Sequence, residues 1–441
     1  MRKVAENERG LRMAALKSHI LAGSIALATG SPALAQDDIT ALKNQLRQLQ
    51  ERLEKMEAQQ AAHPPAAAPA AAVTAGDTPG SFKLPGTNTS VTIGGFVKAS
   101  AIFNDRSPGP GSPGDEQLLV GTIPLSSAAF PPGERDKFKI SAKESRLWFR
   151  TSTPSRWGPV TTHVEGDFVA NTGTEVSTNG YGFRLRHAWG TVGNLGVGQT
   201  WSNLLNTSAI PEVIDFGALI GIFGAPRQPG IRWTSNHANG FWSVALENPE
   251  TTVAGVAATP DNDRAPDING KINFRTGFGT FEVAALWRRL AANAAGVNKA
   301  DGHGFAVSGA VPTFGRDRFV FQVASGKGIG RYFGTAPAPD VSVVGTTLRA
   351  ASHTGGYVGY QHFWSDTLRS SIDYEWLTIG YGGAAVPGTF DKKYWSAHAN
   401  LMWTAARNVT LGAELLRGHR SIVNGDSGKV NKLLLTGIYG F

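Results

Sequence analysis

The 441-residue chain contains no cysteine, which removes disulfides, thiolate metal sites and cysteine nucleophiles together. Charge is sparse, at 17% of residues, and no apolar run approaches the ~20 residues that carry a helix across a bilayer. A helical membrane protein is thereby excluded. The hydrophobic fraction of 41% is slightly low for a large soluble core and far too high for a disordered chain. Glycine is abundant instead, with 54 residues, well above the usual ~7%. The formal net charge is +8, and its meaning depends on where the cations fall.

Residues 1–35 read as a secretory signal. Arg2, Lys3, Arg9, Arg12 and Lys17 give a basic start, residues 20–28 a short apolar stretch, and Ala33-Leu34-Ala35 a small-residue cleavage site. The long basic part leaves Met1 and Met13 as alternative starts. Residues 36–60 read as a coiled-coil helix, capped at Asp37 or Asp38. Ile39, Leu42, Leu46, Leu49, Leu53 and Met56 fall at the 3-4 spacing of a heptad seam, with Glu51 and Lys55 paired on the exposed side. A Pro/Ala-rich spacer over 61–87 separates this helix from the rest of the chain.

From residue 88 to 441 the pattern has period two, strand after strand. Val91, Ile93, Val97, Ala99, Ala101 and Phe103 share one face; His163, Glu165 and Asp167 lie opposite Val160, Val164 and Phe168. Long connections (104–136, 171–181, 203–230, 248–266, 291–302, 325–354, 380–391, 419–431) alternate with short ones, which predicts sixteen strands with both chain ends on the short-turn side. The fold expected is all-β, an antiparallel transmembrane barrel, since only closure satisfies the backbone of a sheet in lipid. Trp395 and Trp403 lie on one face with Ala397, Ala399 and Leu401 between them. Eight residues at ~3.4 Å, tilted by ~40°, give roughly 21 Å along the axis, close to the ~25 Å apolar band between aromatic girdles.

A barrel of sixteen strands encloses a water-filled lumen. Strand phase turns Lys98, Arg146, Arg150, Arg184, Arg186, Arg232, Lys271, Arg275, Arg288, Arg318 and Arg369 inward, with Glu165, Asp167, Glu247, Glu282, Asp373, Glu375 and Glu414. Cations outnumber acids, so the expected solutes are small anions. Five of the arginines sit on neighbouring strands, with only Glu165 and Asp167 between them. The connection 203–230 is too apolar for an exposed loop, carrying Ile210, Val213, Ile214, Phe216, Leu219, Ile220, Ile222 and Phe223. It is expected to fold inward as a constriction and to bring Glu212, Asp215 and Phe216 towards the arginine wall.

These residues resemble a family. Thr151-Ser152-Thr153-Pro154, the run from Gly158 to Phe168, Phe183-Arg184-Leu185-Arg186-His187-Ala188-Trp189-Gly190, Gly198-Gln199-Thr200-Trp201-Ser202-Asn203, the run from Pro211 to Gly217 and that from Arg227 to Thr234 are similar to the DcaP-like porins. The likeness is densest over 141–234; after 250 only the strand pattern carries it. It implies a homotrimeric sixteen-stranded porin of the bacterial outer membrane, with a periplasmic coiled coil and a preference for small anions, dicarboxylates among them. Arg146, Arg184, Arg186 and Arg232 fall inside the matched motifs.

Other patterns carry less. His163, Glu165 and Asp167 are spaced ~7 Å apart and point in parallel, which converges on no metal ion and no acid/base centre. Gly326-Lys327-Gly328-Ile329-Gly330 lacks the features of a phosphate loop and reads as surface. The positive charge is spread along strands, so no nucleic acid is expected, nor an enzyme or a cofactor. The alternative to a porin is a trimeric anchor or adhesin with little solute flux, whose coiled coil contacts the periplasm or cell wall.

Overall fold

The computed structural model describes residues 34–62, 73–107, 113–127, 135–170, 178–217, 219–255, 263–292, 299–334, 337–345, 347–382 and 385–441. The expected signal segment before residue 34 and the first part of the spacer, 63–72, lie outside the described residues. Two units are present, one ending at Ala72 and one starting at Val73.

In the first unit, helix α1 (Leu34–Ala62) begins ahead of the Asp37–Asp38 pair expected to cap it. Leu42, Leu46, Leu49, Leu53 and Met56 are all more than half exposed along one face.

The second unit is a closed antiparallel barrel. Its staves are β1 (Ser90–Arg106), β2 in two pieces (Arg135–Ser141 and Arg146–Thr153), β3 (Val160–Ala170), β4 (Gly182–Val192), β5 (Leu195–Trp201), β6 (Arg227–His237), β7 (Gly240–Glu247) and β8 (Asp267–Thr276). They continue as β9 (Gly279–Leu290), β10 (Ala300–Pro312), β11 (Arg318–Lys327), β12 (Ser352–Phe363), β13 (Leu368–Gly380), β14 (Asp391–Ala406), β15 (Val409–Ile422) and β16 (Ser427–Gly440). Each stave pairs with the next, and β1 closes on β16, from Phe96 opposite Gly440 to Asn104 opposite Lys432. The break at 142–145 lets both pieces of β2 pair with β1. Residues 73–87 fold back on the barrel: Phe82 pairs with Val91, and Asp77 bonds Lys83 at 2.6 Å and Ser90 Oγ at 3.0 Å.

Seven short turns alternate with the other connections, and both barrel ends lie on the short-turn side, as the strand pattern predicts. One long connection is corrected. The stretch 419–431 is mostly strand, and β15 joins β16 through residues 423–426 alone. Its outward side chains, His419, Lys429 and Asn431, are polar, which hid the period-two pattern.

The exterior is an apolar band. Ile93, Val97, Phe149, Val164, Leu185, Val197, Ile231, Val244, Ile272, Val283, Val307, Val323, Ile372, Leu401 and Leu435 are all exposed. Trp157, Phe278, Phe314, Trp364 and Trp403 ring the short-turn end, the position of an interfacial aromatic belt.

Three long connections turn into the barrel rather than away from it. Leu118, Val120 and Ile123 (from 107–134), Leu204, Ile214, Ile220 and Phe223 (from 202–226), and Ile329, Tyr332 and Phe333 (from 328–351) form one buried cluster with inward residues of β1, β9–β11 and β13–β16. Burying each large apolar side chain contributes roughly 1.5–3 kcal/mol, enough to hold a loop that would otherwise remain hydrated. Gly326–Gly330, expected at the surface, is the entry to the third of these; Ile329 is fully buried. Backbones come into direct contact: a Cβ on Gly221 would lie 1.9 Å from the Gly356 carbonyl on β12.

Candidate functional site: the barrel lumen

The inward faces of β2 to β6 carry arginine in excess of acid. Asp167 on β3 is fully buried and accepts from Arg184 Nε at 2.9 Å and Nη2 at 2.7 Å, a bidentate grip, and from Arg186 Nη1 at 2.9 Å. Glu165 accepts from Arg186 Nε at 2.6 Å and stands 3.4 Å from Arg146 Nε. Among the described residues neither Arg227 nor Arg232 has a carboxylate in a salt bridge; Arg232 Nη2 donates to the Trp201 carbonyl at 2.7 Å. The Nε of each makes no hydrogen bond among the described residues.

Aromatic rings support these guanidinium groups. Arg227 lies 3.4 Å over Trp201, Arg150 4.4 Å over Trp148, Arg146 5.0 Å over Phe96 and Arg232 5.3 Å over Trp189. Phe216 of the inward loop sits under both Arg184 and Arg186, at 5.2 and 5.5 Å. A ring face attracts a cation without neutralising it, so the positive field is retained while the side chains are fixed. Arg146 and Arg184 keep 22% and 35% side-chain exposure, and Arg150 is open.

A bulge shapes this wall. Glu165 pairs with His187 but Gly166 with Leu185, so Arg186 is the extra residue on β4. Arg186 and His187 consequently both turn inward, His187 stacking on His163 at 5.2 Å and bonding Thr200 Oγ1 at 2.9 Å. Gln199 Nε2 reaches the freed carbonyls of Leu185 and Arg186 at 3.3 and 3.5 Å.

The opposite wall holds the loop. Glu414 accepts the backbone N–H of Ile214 at 2.6 Å and Asp215 at 3.1 Å; Glu375 accepts Gly221 at 3.1 Å; Gln322 accepts Phe223 at 2.6 Å; Glu247 accepts Asn203 at 2.6 Å. Lys98 ion-pairs with Glu144 and donates to the Ile214 carbonyl at 2.7 Å. Lys271 bonds Glu282 at 3.0 Å and the Leu205 carbonyl at 2.8 Å. Arg288, 1% exposed, joins Asp267 at 3.1 Å to Asp340 at 2.8 Å and so fastens the third inward loop.

The expected arrangement of the constriction acids is corrected. Glu212 does not approach the arginines of β2–β6; it is gripped by Arg369 of β13 at 2.8 and 2.7 Å, with Gln361 at 2.7 Å. Asp215 lies 3.2 Å from Lys432 Nζ and accepts Leu118 N–H at 2.8 Å. Only Phe216 reaches the arginine wall. The segment therefore crosses the lumen, acids on one side and ring on the other.

Sequence reading missed Arg227, His187, Lys432 and Tyr332. Pro229-Gly230 reads as a turn, yet β6 begins at Arg227 and sets Pro229 opposite Gln199. The neighbouring Gly198, at φ 115°, already breaks the regular ladder there. Strict alternation turns His187 outward, and only the bulge reverses it. Tyr332 had a usable signal, since 329–348 is as apolar as the loop that was singled out; its hydroxyl donates to Asp267 at 2.8 Å and accepts Gln228 Nε2 at 2.9 Å.

Known proteins share this outline. A family profile described as "Porin subfamily" matches residues 67–421. The outer membrane channel DcaP of Acinetobacter baumannii has a similar structure, with 24% identity, a TM-score of 0.72, and coverage of 83% of this chain and all of that one. An anion-selective porin from Comamonas acidovorans matches at 11% identity and TM-score 0.54, covering 80% of this chain and all of that one. A loop-deletion form of OmpT from Vibrio cholerae matches at 11% identity and TM-score 0.50, covering 80% and 99%. No curated protein sequence matches. The family profile spans most of the chain and the barrel is DcaP-like, and on those grounds the chain belongs to the porin subfamily and is a porin of the bacterial outer membrane.

Proposed function

We propose that this porin is a diffusion channel that favours small anions, dicarboxylates among them. The observation that carries the reading is the unequal charge of the β2–β6 wall, where Arg146, Arg150, Arg184, Arg186, Arg227 and Arg232 share two salt-bridged carboxylates, Glu165 and Asp167. Glu144 is held by Lys98, and Glu247 and Glu282 act on Arg232 from β7 and β9. A carboxylate entering from water recovers there the interactions it loses on dehydration. Arg227, without a salt bridge among the described residues, stands near Arg146, Arg184 and Arg186, and such a cluster of guanidinium groups suits a solute with two acidic ends. The Comamonas barrel of the same fold is described as anion-selective, so the architecture accommodates the property.

The test replaces Arg184, Arg186 and Arg232 with Gln and measures reversal potential across a planar bilayer under a salt gradient. Each unit charge a few Å from the solute contributes on the order of 1–4 kcal/mol at effective dielectric constants between water and ~20. The variant should shift towards cations and lose stimulated dicarboxylate flux, most strongly below 0.1 M salt, where the Debye length exceeds ~10 Å. Flux of a neutral sugar of similar size should stay within about twofold. Equal slowing of both solutes would leave the arginines a spacing role and refute the charge argument.

The porin is further proposed to assemble as a homotrimer, with α1 in the periplasm as a short coiled coil. The exposed seam Leu42–Leu46–Leu49–Leu53–Met56 supports this reading. About three heptads make a weak seam, so barrel contacts should dominate assembly. Light scattering in mild detergent should find a trimer with and without residues 36–81; monomers on truncation would make the helix the main assembly device.

A further inference from the structure

The exterior of β14–β16 departs from an ordinary lipid-facing wall at its long-loop end. Lys393, Arg417 and Lys429 are exposed there, on the same outward face as Trp395. The register sets them together: His419 stands between Lys429 on β16 and Trp395 on β14, while Arg417 stands between Asn431 and Ala397. His419 stacks on the Trp395 indole, 5.3 Å between centroids and 9° between planes. Trp395 in turn touches Tyr374 of β13, at 6.1 Å. The acids nearest this face are otherwise engaged. Asp391 holds Arg420 at 2.6 Å, and Asp105 binds Asn431 through its N–H at 2.8 Å and its amide at 2.5 Å. No ion pair to Lys393, Arg417 or Lys429 is found among the described residues.

Directly below, a groove of about 590 Å³ runs down the apolar band. Ala397 and Ala399 form its floor, Ile372 and Tyr374 one side, Leu415 the other, and Arg417 its upper end. Lys393 therefore lies one strand step above the ring, Lys429 level with it and Arg417 one step below it at the head of the trench. Successive outward residues lie ~7 Å apart along a strand, so Lys393 sits about one headgroup height above Trp395. Aromatic girdle residues mark the level of the interface, and what lies just outside it is the lipid headgroup.

We propose that Lys393, Arg417 and Lys429 bind the phosphate groups of a phosphorylated glycolipid of the outer leaflet, with an acyl chain lying in the Ala397–Ala399 groove. Charge complementarity selects the occupant. Three cations with no ion pair among the described residues, each within one strand step of the ring and long enough to extend towards the headgroups, fit a polyanionic lipid, whereas a bare hydrocarbon face would need none of them. The His419–Trp395 stack supplies a flat apolar surface for the sugar or the upper acyl segment, and it fixes the height of the basic side chains.

The test titrates the purified full-length porin in detergent with bisphosphorylated hexa-acyl lipid A, read by native mass spectrometry. Each basic residue near an anionic surface is worth about one kcal/mol, so K393Q/R417Q/K429Q should bind about a hundredfold more weakly. Dephosphorylated lipid A should bind wild type as weakly as the phosphorylated form binds the variant. Ala397→Trp, which fills the groove and keeps every charge, should weaken binding about tenfold. Single-channel conductance should be unchanged in both variants, since every altered side chain points away from the lumen. Undiminished binding by the triple variant, or equal binding of the dephosphorylated lipid, would overturn the proposal. So would crosslinking of Lys393 to a second copy, which would make this face a subunit contact.

Discussion

On β2–β6 six arginines share two salt-bridged acids and lean on aromatic rings, whereas on β7–β15 Glu247, Gln322, Glu375 and Glu414 each hold a backbone N–H of the inward loop. Both walls follow the same two-residue alternation and use the same residue types. They differ in what faces them. The inward loop lies against β7–β15, so Glu414 and His398 show no side-chain exposure and Lys271 and Glu282 show 9% and 6%. Across the lumen only Phe216 touches the arginines, which keep 22% to 35% exposure at Arg146 and Arg184. A charge that already holds a loop carboxylate or carbonyl contributes to architecture; one resting on an indole still acts on a solute. The net charge of a lumen is therefore a poor guide to its selectivity until the engaged charges are removed from the count.

The largest test of this division deletes residues 212–223. The narrowest segment dominates the resistance of a wide pore, so conductance should rise at least twofold. The apolar cluster around Ile214, Ile220 and Phe223 would lose its loop contribution, so the barrel should also unfold at lower temperature. Unchanged conductance would mean that ions do not pass beside this segment, and the loop-bearing wall would lose its role as a constriction.

A sharper comparison applies one substitution to both walls. Arg369→Gln removes the bidentate partner of Glu212. Charge-assisted bonds of this kind contribute about 1.5–3 kcal/mol each, so the loop should loosen and the open-channel current should become noisier. Arg369→Gln alone leaves Glu212 unpaired, so selectivity is read in Arg369→Gln/Glu212→Gln, where a neutral pair is lost and the reversal potential should barely move. Arg184→Gln should do the reverse, giving a quiet channel whose reversal potential shifts by about a third of the triple variant's. Similar effects from the two substitutions would erase the distinction between the walls.

The barrel was legible because lipid outside and water inside impose a strict alternation, and because loop lengths alternate with it. Trp395 and Trp403 and the apolar residues between them face outward as read. The inward loop was legible from composition alone, since Ile214, Ile220 and Phe223 cannot stay hydrated together. Its partners were not. Glu212 and Arg369 lie 157 positions apart, and no local pattern ties them. The connection 328–351 carried a comparable apolar signal through Ile329, Tyr332 and Phe333, but its glycine-rich start suggested surface. Arg227 was hidden by Pro229-Gly230, and His187 by a bulge, whose single extra residue is invisible to a period-two count. At the long-loop end of β15 and β16, polar outward residues broke the apolar alternation, so strand was read as loop.

The smallest effect tests whether the two acids of the arginine wall neutralise it or shape it. Asp167→Asn removes one negative charge while keeping size. It leaves Arg184 and Arg186 without the carboxylate that both now hold. If neutralisation dominates, anion preference should rise modestly, and the rise should fade with added salt over the ~8–10 Å Debye range. The cost falls on order. Removing one member of a buried pair destabilises by roughly 3–5 kcal/mol, and less here because Arg184 is about a third exposed. The variant should therefore denature slightly earlier on heating in detergent while gaining selectivity. A shift of reversal potential towards cations would reverse the ranking: Asp167 would matter chiefly as the post that aims two guanidinium groups, and the excess of arginine over acid would act only where that aim is held.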